Sequence, residues 1–486
     1  MILAIDIGTS TFKSGIFHYG GSCVASAVLP LAVLAGDRHE ADPRQWLLAF
    51  EESCRRLGSL SAVEALVISG NGPSLVPVTG TPGIDSGLSL PAAGARLWLD
   101  RGAEKAAAEV SAVMEDFVDP GFFLPKALNI KNDEPELYEK TKHFLYCPEY
   151  LAYALTGEAR TVFPSEGFDR WYWNAAVLEK LALDTQKFPP FISPGDIIGT
   201  LLPSVSAFFG FGKNIPVIAG GPDFFVSILG SGVVRPGQVC DRSGTSEGIN
   251  ACTEKRIFDP GLMSYGHPVK PFWNLSGIIS TTGKAIDWAR ELLGLDTTEK
   301  GYNEFFNLAD SCGAGAGGLL FLPYLAGERA PIWDSHAQGV FLGLNLSTGR
   351  AETARAVIEG ICFAIRDVVT VMEEAGGNSS ARVKVQELRV SGNSAGNMIL
   401  NQIKADVLGR DVLIPVQKEA ELLGLTAIAA AAMGKFSSAG EAVSAMVRIE
   451  TVWHPDEKKT GLYDRMFAEY RETYRALKHL FNSRST

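Results

Sequence analysis

The feature that most constrains this chain is a short segment that occurs twice. Gly8-Thr9-Ser10 near the N-terminus returns as Gly244-Thr245-Ser246, close to half the chain later. In each copy an apolar run leads into the glycine and another leaves the last hydroxyl residue. Ile2 to Ile7 precedes the first tip and Lys13 to Phe17 follows it, while Val239 to Arg242 and Gly248 to Cys252 flank the second. Runs of that length around small polar residues read as strands joined in a hairpin. A tip of glycine amides and hydroxyls forms a nest for phosphate oxygens, and Asp6 could hold Mg²⁺ there through water. Taken alone, such a tip reads first as an ordinary β-turn. Its recurrence predicts two lobes built on one plan, and 486 residues exceed what one hydrophobic core usually supports.

Bulk properties exclude several function classes. A net charge of −11 and the lack of any long Lys/Arg run argue against a nucleic-acid surface. The seven cysteines are scattered without a Cys-x-x-Cys pair, so neither a disulfide framework nor a zinc site is expected. Met1 to Asp6 lacks the basic region of a signal peptide, and the small apolar run Leu422 to Met433 is too short to span a bilayer. A soluble cytoplasmic protein with no membrane partner is expected, with a homodimer allowed.

Along the first half, Asp42-Pro43 starts a helix through Trp46, Leu47, Phe50 and Cys54, and Val63 to Ser69 is a strand ending in Gly70-Asn71-Gly72-Pro73. This is an α/β pattern, whose ligands bind beyond the carboxyl ends of strands. Trp98 and Asp100 could stack on and hydrogen-bond a polyol, or Asp100 and Arg101 could be an ion pair on a helix surface. The aromatic stretch from Pro120 to Pro203 reads as a helical elaboration, with Trp171 and Trp173 favoured as packing residues over ligand contacts. Ile215 to Ala219 is a strand delivering Gly220-Gly221-Pro222-Asp223 to the head of an apolar helix. Asp223 is by default an N-cap, but the preceding glycines would let a ligand approach the backbone.

In the second half, Gly244-Thr-Ser246-Glu-Gly248 also fits the Gly-x-Ser-x-Gly elbow of serine hydrolases. That motif needs a helix directly after Ser246, where this chain reads as strand. Ser10-Thr-Phe-Lys13 fits the Ser-x-x-Lys motif and fails for the same kind of reason. Gly313 to Gly318 fits Gly-x-Gly-x-x-Gly, but its strand follows the glycines, so it is not a dinucleotide fingerprint. Thr282 caps a helix through Trp288, and the Pro323 to Pro331 loop carries the charge pair Glu328–Arg329. A long amphipathic helix is predicted over Arg350 to Glu374. Glu387 to Ser391 is a strand entering Gly392-Asn393-Ser394-Ala395-Gly396-Asn397, which opens a helix through Ile399, Ile403 and Val407. Such a turn suits nucleotide binding, though capping explains Asn393 and Asn397 equally well. A further strand and helix follow at Val412 to Met433, and a closing helix runs from Pro455 to Phe481.

Together these segments resemble the FGGY family of carbohydrate kinases, xylulose kinases in particular, from about residue 2 to 435. The resemblance is carried, in order, by Asp6 to Ser10 with Lys13, Pro125-Lys126 with Glu134 and Glu136, and Gly220 to Asp223. It continues through Gly244 to Ser246, Leu322 to Pro331, Gly343-Leu344 with Arg355 to Gly360, and Gly392 with Gln402 and Ala405 to Gly409. It implies an actin-like (ribonuclease H-like) α/β ATPase fold of two duplicated lobes with a cleft between them. A sugar- and phosphate-binding lobe would span 1–237, a nucleotide-binding lobe 238–450, and a closing helix 451–486. It further implies ATP and Mg²⁺ as cofactors, a small sugar, a ketose such as xylulose, as substrate, and Asp223 as the general base for its primary hydroxyl. Gly8, Thr9, Ser10, Lys13, Gly244, Thr245 and Ser246 would bind phosphate, and Gly392, Asn393 and Asn397 adenosine. Asn71, Trp98, Asp100, Asp223 and Phe224 would face the sugar, with Asp6 and Asp223 at the metal. Four departures bear on the substrate: Gly70 to Pro73 stands where a Gln-x-His segment is common, Phe224 where Asn is common, and Asn129 and Leu400 where Trp is usual. A polyol or aldonate acceptor, or a non-catalytic sensor on the same fold, are the alternatives.

Overall fold

The computed structural model describes residues 1–32, 39–84, 87–375 and 383–483. The chain divides into two compact units, one of Met1–Gly230 with Ala420–Met446, the other of Ser231–Glu419 with Val447–Thr486.

Each unit is built on one mixed sheet. In the first the strand order is Ile197–Thr200, Pro216–Pro222, Ala65–Gly70, Ile2–Ile7, Thr11–Phe17, Cys23–Pro30. The last three form an antiparallel meander, and Ala65–Gly70 and Pro216–Pro222 add in parallel. In the second the order is Met263–Gly266, Trp273–Ile279, Glu247–Thr253, Gln238–Ser243, Glu387–Gly392, Asp411–Pro415, Ile449–Trp453. Here too a hairpin and its antiparallel neighbour are followed by two parallel strands. The duplication expected from the paired Gly-Thr-Ser tips is therefore a duplication of sheet topology. Every residue of Ile2–Ile7 is buried, as a central strand covered on both faces requires.

Most expected elements are present with shifted ends. The long helix is Arg350–Glu374, burying Ala354, Val357, Ile358, Ile361 and Ile365 in the second unit. The first-half helix is Arg44–Leu57, where Asp42 accepts from the Arg44 amide at 3.0 Å. The Pro120 to Pro203 region is a set of helices and short strands within the first unit.

Two segments late in the chain are placed by tertiary packing. The helix Ala420–Ala432 packs in the first compact unit. It crosses the helix Asp223–Gly230 at backbone contact: a Cβ on Gly230 would lie 1.7 Å from the Ala420 carbonyl oxygen, and one on Gly424 1.9 Å from that of Val226. Only glycine permits this approach, and sequence periodicity carries no signal for it. The closing helix Glu457–Ser483 is an integral part of the second unit, its buried Tyr463 donating to Glu359 at 2.8 Å and accepting from Arg355 at 2.8 Å. No helix among the described residues is long and apolar enough to cross a membrane.

Candidate active site

In the first unit three parallel strands end in register. Ile7 lies beside Gly70, and Gly70 beside Pro222, so Gly8, Asn71 and Asp223 each begin the segment leaving a neighbouring strand. Asp6 is buried and accepts from the Ser69 hydroxyl at 2.7 Å. Burial pushes its carboxyl up to about 7, and the charges of Glu421 and Asp223 add to the rise, while Ser69 and Lys13 oppose it. Lys13 sits directly across the hairpin from Asp6 and pairs with Glu421 at 3.6 Å.

Glu421 is a site residue that sequence reasoning missed. It opens the Ala420–Ala432 helix, and an acid in a first turn reads as dipole complement. Only the glycine crossing described above brings it to Asp6.

Asp223 heads the helix Asp223–Gly230, half-buried, with one carboxylate oxygen accepting from the Phe224 amide at 2.6 Å. The two preceding glycines have roles other than ligand approach. A Cβ on Gly220 would meet the Ile68 carbonyl oxygen at 2.5 Å and the Leu425 side chain at 2.3 Å, so packing demands this residue. Gly221 turns the chain at φ +103°.

The remaining expected sugar contacts separate into two kinds. Asn71 is buried and committed: its amide donates to the Ile7 carbonyl at 3.0 Å and accepts from Ser74 at 2.5 Å. Asp100 is buried in a loop, accepting from the Gly102 amide at 2.9 Å. The surface ion pair is Arg101 with Asp119, at 2.7 Å, so the helix-surface alternative for Asp100–Arg101 does not hold. Near Asp100 the buried Lys126 donates to the carbonyls of Pro73 and Leu97 at 2.9 and 2.5 Å, and burial pulls its ammonium down to about 7. Trp98, by contrast, is exposed, and its indole N–H donates to the Thr9 hydroxyl at 3.0 Å. Phe224 is half-buried and stacks on Phe168 with ring centroids 6.0 Å apart. Trp173 is buried between Phe123 and Phe191, a packing residue as expected.

In the second unit the Gly244–Ser246 tip is fastened from two directions. The Ser243 hydroxyl donates to the Ser391 carbonyl and accepts from the Ser394 amide, both at 2.8 Å, and the Asn393 amide donates to the Ser243 carbonyl at 3.2 Å. This brings the phosphate tip and the Gly392–Asn397 turn together. Gly392 takes φ +79°, and its Cβ would lie 2.2 Å from the Ser243 carbonyl oxygen. From the other side, amides of Gly283 and Lys284 donate to Gly244 and Thr245 carbonyls at 3.2 and 3.3 Å. Thr245 and Asn393 are exposed. Asn397 is the N-cap of the helix Met398–Leu408, accepting from the Leu400 amide at 2.9 Å. Behind the tip lies a buried triad: Lys404 pairs with Asp241 and, at 2.9 Å, with Glu247. Burial drives the Asp241 carboxyl well up, with the Glu247 charge adding to the rise.

Ser246 is followed at once by the strand Glu247–Thr253, so the hydrolase elbow is absent. Glu328 does not pair with Arg329 through side chains alone: it is buried, accepting from the Ser280 and Arg329 amides at 2.7 and 2.8 Å. All seven cysteines are free thiols.

A divalent ion fits the first half-site by its donor chemistry. Carboxylates gathered at a strand end, where the Glu421 and Asp223 charges add to the rise of Asp6, offer hard oxygens, and Mg²⁺ binds through one or two carboxylates plus water and phosphate. Among the described residues no group of three His, Cys, Asp or Glu forms a closed metal cage.

Two duplicated sheets, each with a Gly-Thr-Ser tip on its first hairpin, define an actin-like two-lobed ATPase fold. The FGGY N-terminal domain model matches residues 1–230 and the C-terminal domain model residues 242–433, so the chain belongs to the FGGY family of carbohydrate kinases. It is therefore a sugar phosphotransferase of ATP. The chain is 27% identical to the xylulose kinase of Bacillus subtilis over 99% of its own length and 97% of that protein's. Among solved structures it resembles gluconate kinase of Lactobacillus acidophilus, with TM-score 0.84 at 23% identity, and ligand-bound xylulose kinase of the same organism, with TM-score 0.83 at 23% identity. Both comparisons cover 99% of each chain.

Proposed function

We propose that this protein transfers the γ-phosphate of ATP to a primary hydroxyl of a small sugar, a ketose such as xylulose, with Asp223 as general base. The observation that carries the reading is the register of three strand ends, which sets Asp223 across the Gly70 strand end from the Asp6 hairpin, near enough for its charge to add to the rise of the Asp6 carboxyl. Phosphoryl transfer needs an aligned nucleophile and charge stabilisation more than covalent chemistry. Asp223 accepts the hydroxyl proton, its carboxylate oriented by the Phe224 amide at the helix N-terminus. The first tip binds phosphate oxygens through Thr9 and Ser10, with Lys13 adding positive charge, while the Gly8 amide, spent on the Thr11 carbonyl at 2.8 Å, shapes that tip. Gly244, Thr245 and Ser246 are the corresponding phosphate donors of the second unit. Gly392 and Asn393 meet the adenosine, while Asn397 shapes their turn as a helix cap. Asp6 and Asp223 would hold Mg²⁺ through water. When bound, the ion neutralises phosphate charge. Trp98 and Phe224 face the sugar, whereas Asn71 and Asp100 act by holding the strand ends and the adjoining loop. The reaction takes place in the cytoplasm, where ATP is supplied. The full-length likeness to a xylulose kinase supports a ketose, and Phe224 and Gly72 leave room for a polyol or aldonate.

Asp223→Asn tests the assignment. ADP binding measured by calorimetry should persist, while sugar-dependent ADP release falls by about 10²- to 10⁴-fold. Turnover within a few fold of the parent would refute Asp223 as the base.

A further inference from the structure

The Pro120 to Pro203 region contributes an arc of aromatic rings to the first unit. Phe224, next to Asp223, stacks on Phe168 at 6.0 Å with the planes 26° apart. Phe168 meets Trp171 edge-on at 4.9 Å, and Trp171 meets Phe122 edge-on at 6.1 Å. Phe122 follows Gly121, whose Cβ would lie 2.9 Å from the Trp98 carbonyl oxygen, so the backbone at this end of the arc meets that of Trp98. The Trp98 indole in turn donates to the Thr9 hydroxyl at 3.0 Å. One end of the arc thus abuts Asp223, and the backbone at the other end abuts the residue that holds the first tip. Phe224, Trp171 and Phe122 are only half-buried, unlike Trp173, whose ring is sealed into the packing layer.

We propose that Phe224, Phe168, Trp171 and Phe122 form the specificity-determining wall of the acceptor site, selecting a sugar that turns a hydroxyl-free, C–H-bearing edge toward them. This rests on the kinase reading above. Phenyl rings attract C–H edges through their π faces and cannot accept or donate to a hydroxyl. A hydroxyl pressed against Phe224 loses its water and gains no partner there, so the wall favours an acceptor deoxygenated at that carbon. Discrimination by an apolar surface against an added hydroxyl reaches about 100-fold, which sets the scale.

The test compares kcat/KM for xylulose with its analogues lacking O1, O3 or O4, by coupled ADP release. Parent protein, Phe224→Asn and Trp171→Phe are assayed together, with tryptophan emission followed on sugar addition without ATP. For one analogue the parent protein should exceed its xylulose value by about 10- to 100-fold. Phe224→Asn, which restores a hydrogen-bonding group, should lower that ratio at least about tenfold. Trp171→Phe should reduce the sugar-induced emission change, the remainder coming from Trp98. A preference for xylulose over all three analogues, or a ratio that Phe224→Asn leaves within twofold, would overturn the wall while the kinase reading stands. An emission change without ADP release from any acceptor would overturn the kinase reading and keep the wall as a binding surface. Neither signal would overturn both.

Discussion

Asp6→Asn separates what the buried carboxylate does to folding from what it does to catalysis. Its carboxyl is raised from 3.8 to about 7, chiefly by burial, with the Glu421 and Asp223 charges adding to it. A raised folded-state value means that the folded chain holds the proton more tightly than the unfolded chain. The associated stability is fully present below about pH 4 and is lost as pH rises through about 7. A gap of about three pH units at about 1.4 kcal/mol each sets a ceiling of about 4 kcal/mol. Between pH 5 and pH 8 the parent protein should lose about 2–3 kcal/mol of that. Asn carries no ionisable group, so Asp6→Asn escapes this loss. Calorimetric unfolding of both proteins across this range should show the variant gaining on the parent by about 5–10 °C in the first unit's transition. Sugar-dependent turnover should fall in parallel at every pH, along with stabilisation by Mg²⁺ and nucleotide. Parallel stability curves for the two proteins from pH 5 to pH 8 would refute the account of Asp6 as a carboxyl raised by burial among like charges.

Two further outcomes follow from the second unit. Lys404→Met leaves Asp241 and Glu247 buried without their cation, and removing one partner from a buried ion pair costs on the order of 3–5 kcal/mol. Chemical denaturation should report that loss, and a change under about 1 kcal/mol would contradict it. Gly283→Ala places a Cβ 2.3 Å from the Gly244 carbonyl oxygen, so the phosphate tip must shift. ADP affinity by calorimetry should drop about tenfold or more. Unchanged affinity would show that the tip tolerates displacement.

What the sequence determined by itself was local and repetitive. The two Gly-Thr-Ser tips, the strands flanking them and the Arg350–Glu374 helix are legible because turn chemistry and side-chain period act over a few residues. Asp223 was legible for the same reason, as the end of a strand and the head of a helix. Tertiary structure alone decided which distant groups complete the site. Glu421 reaches Asp6 only because Gly230 and Gly424 let two helix backbones touch, and that contact also moves Ala420–Met446 into the first unit. Lys404 meets Asp241 and Glu247 across more than 150 residues of chain. Asn71 and Gly220 looked like ligand contacts, yet one is spent on the Ile7 carbonyl and the other on the space beside Ile68 and Leu425. Such roles depend on which surfaces meet when the chain packs, and a close approach between backbones leaves no periodic trace in the residues that make it.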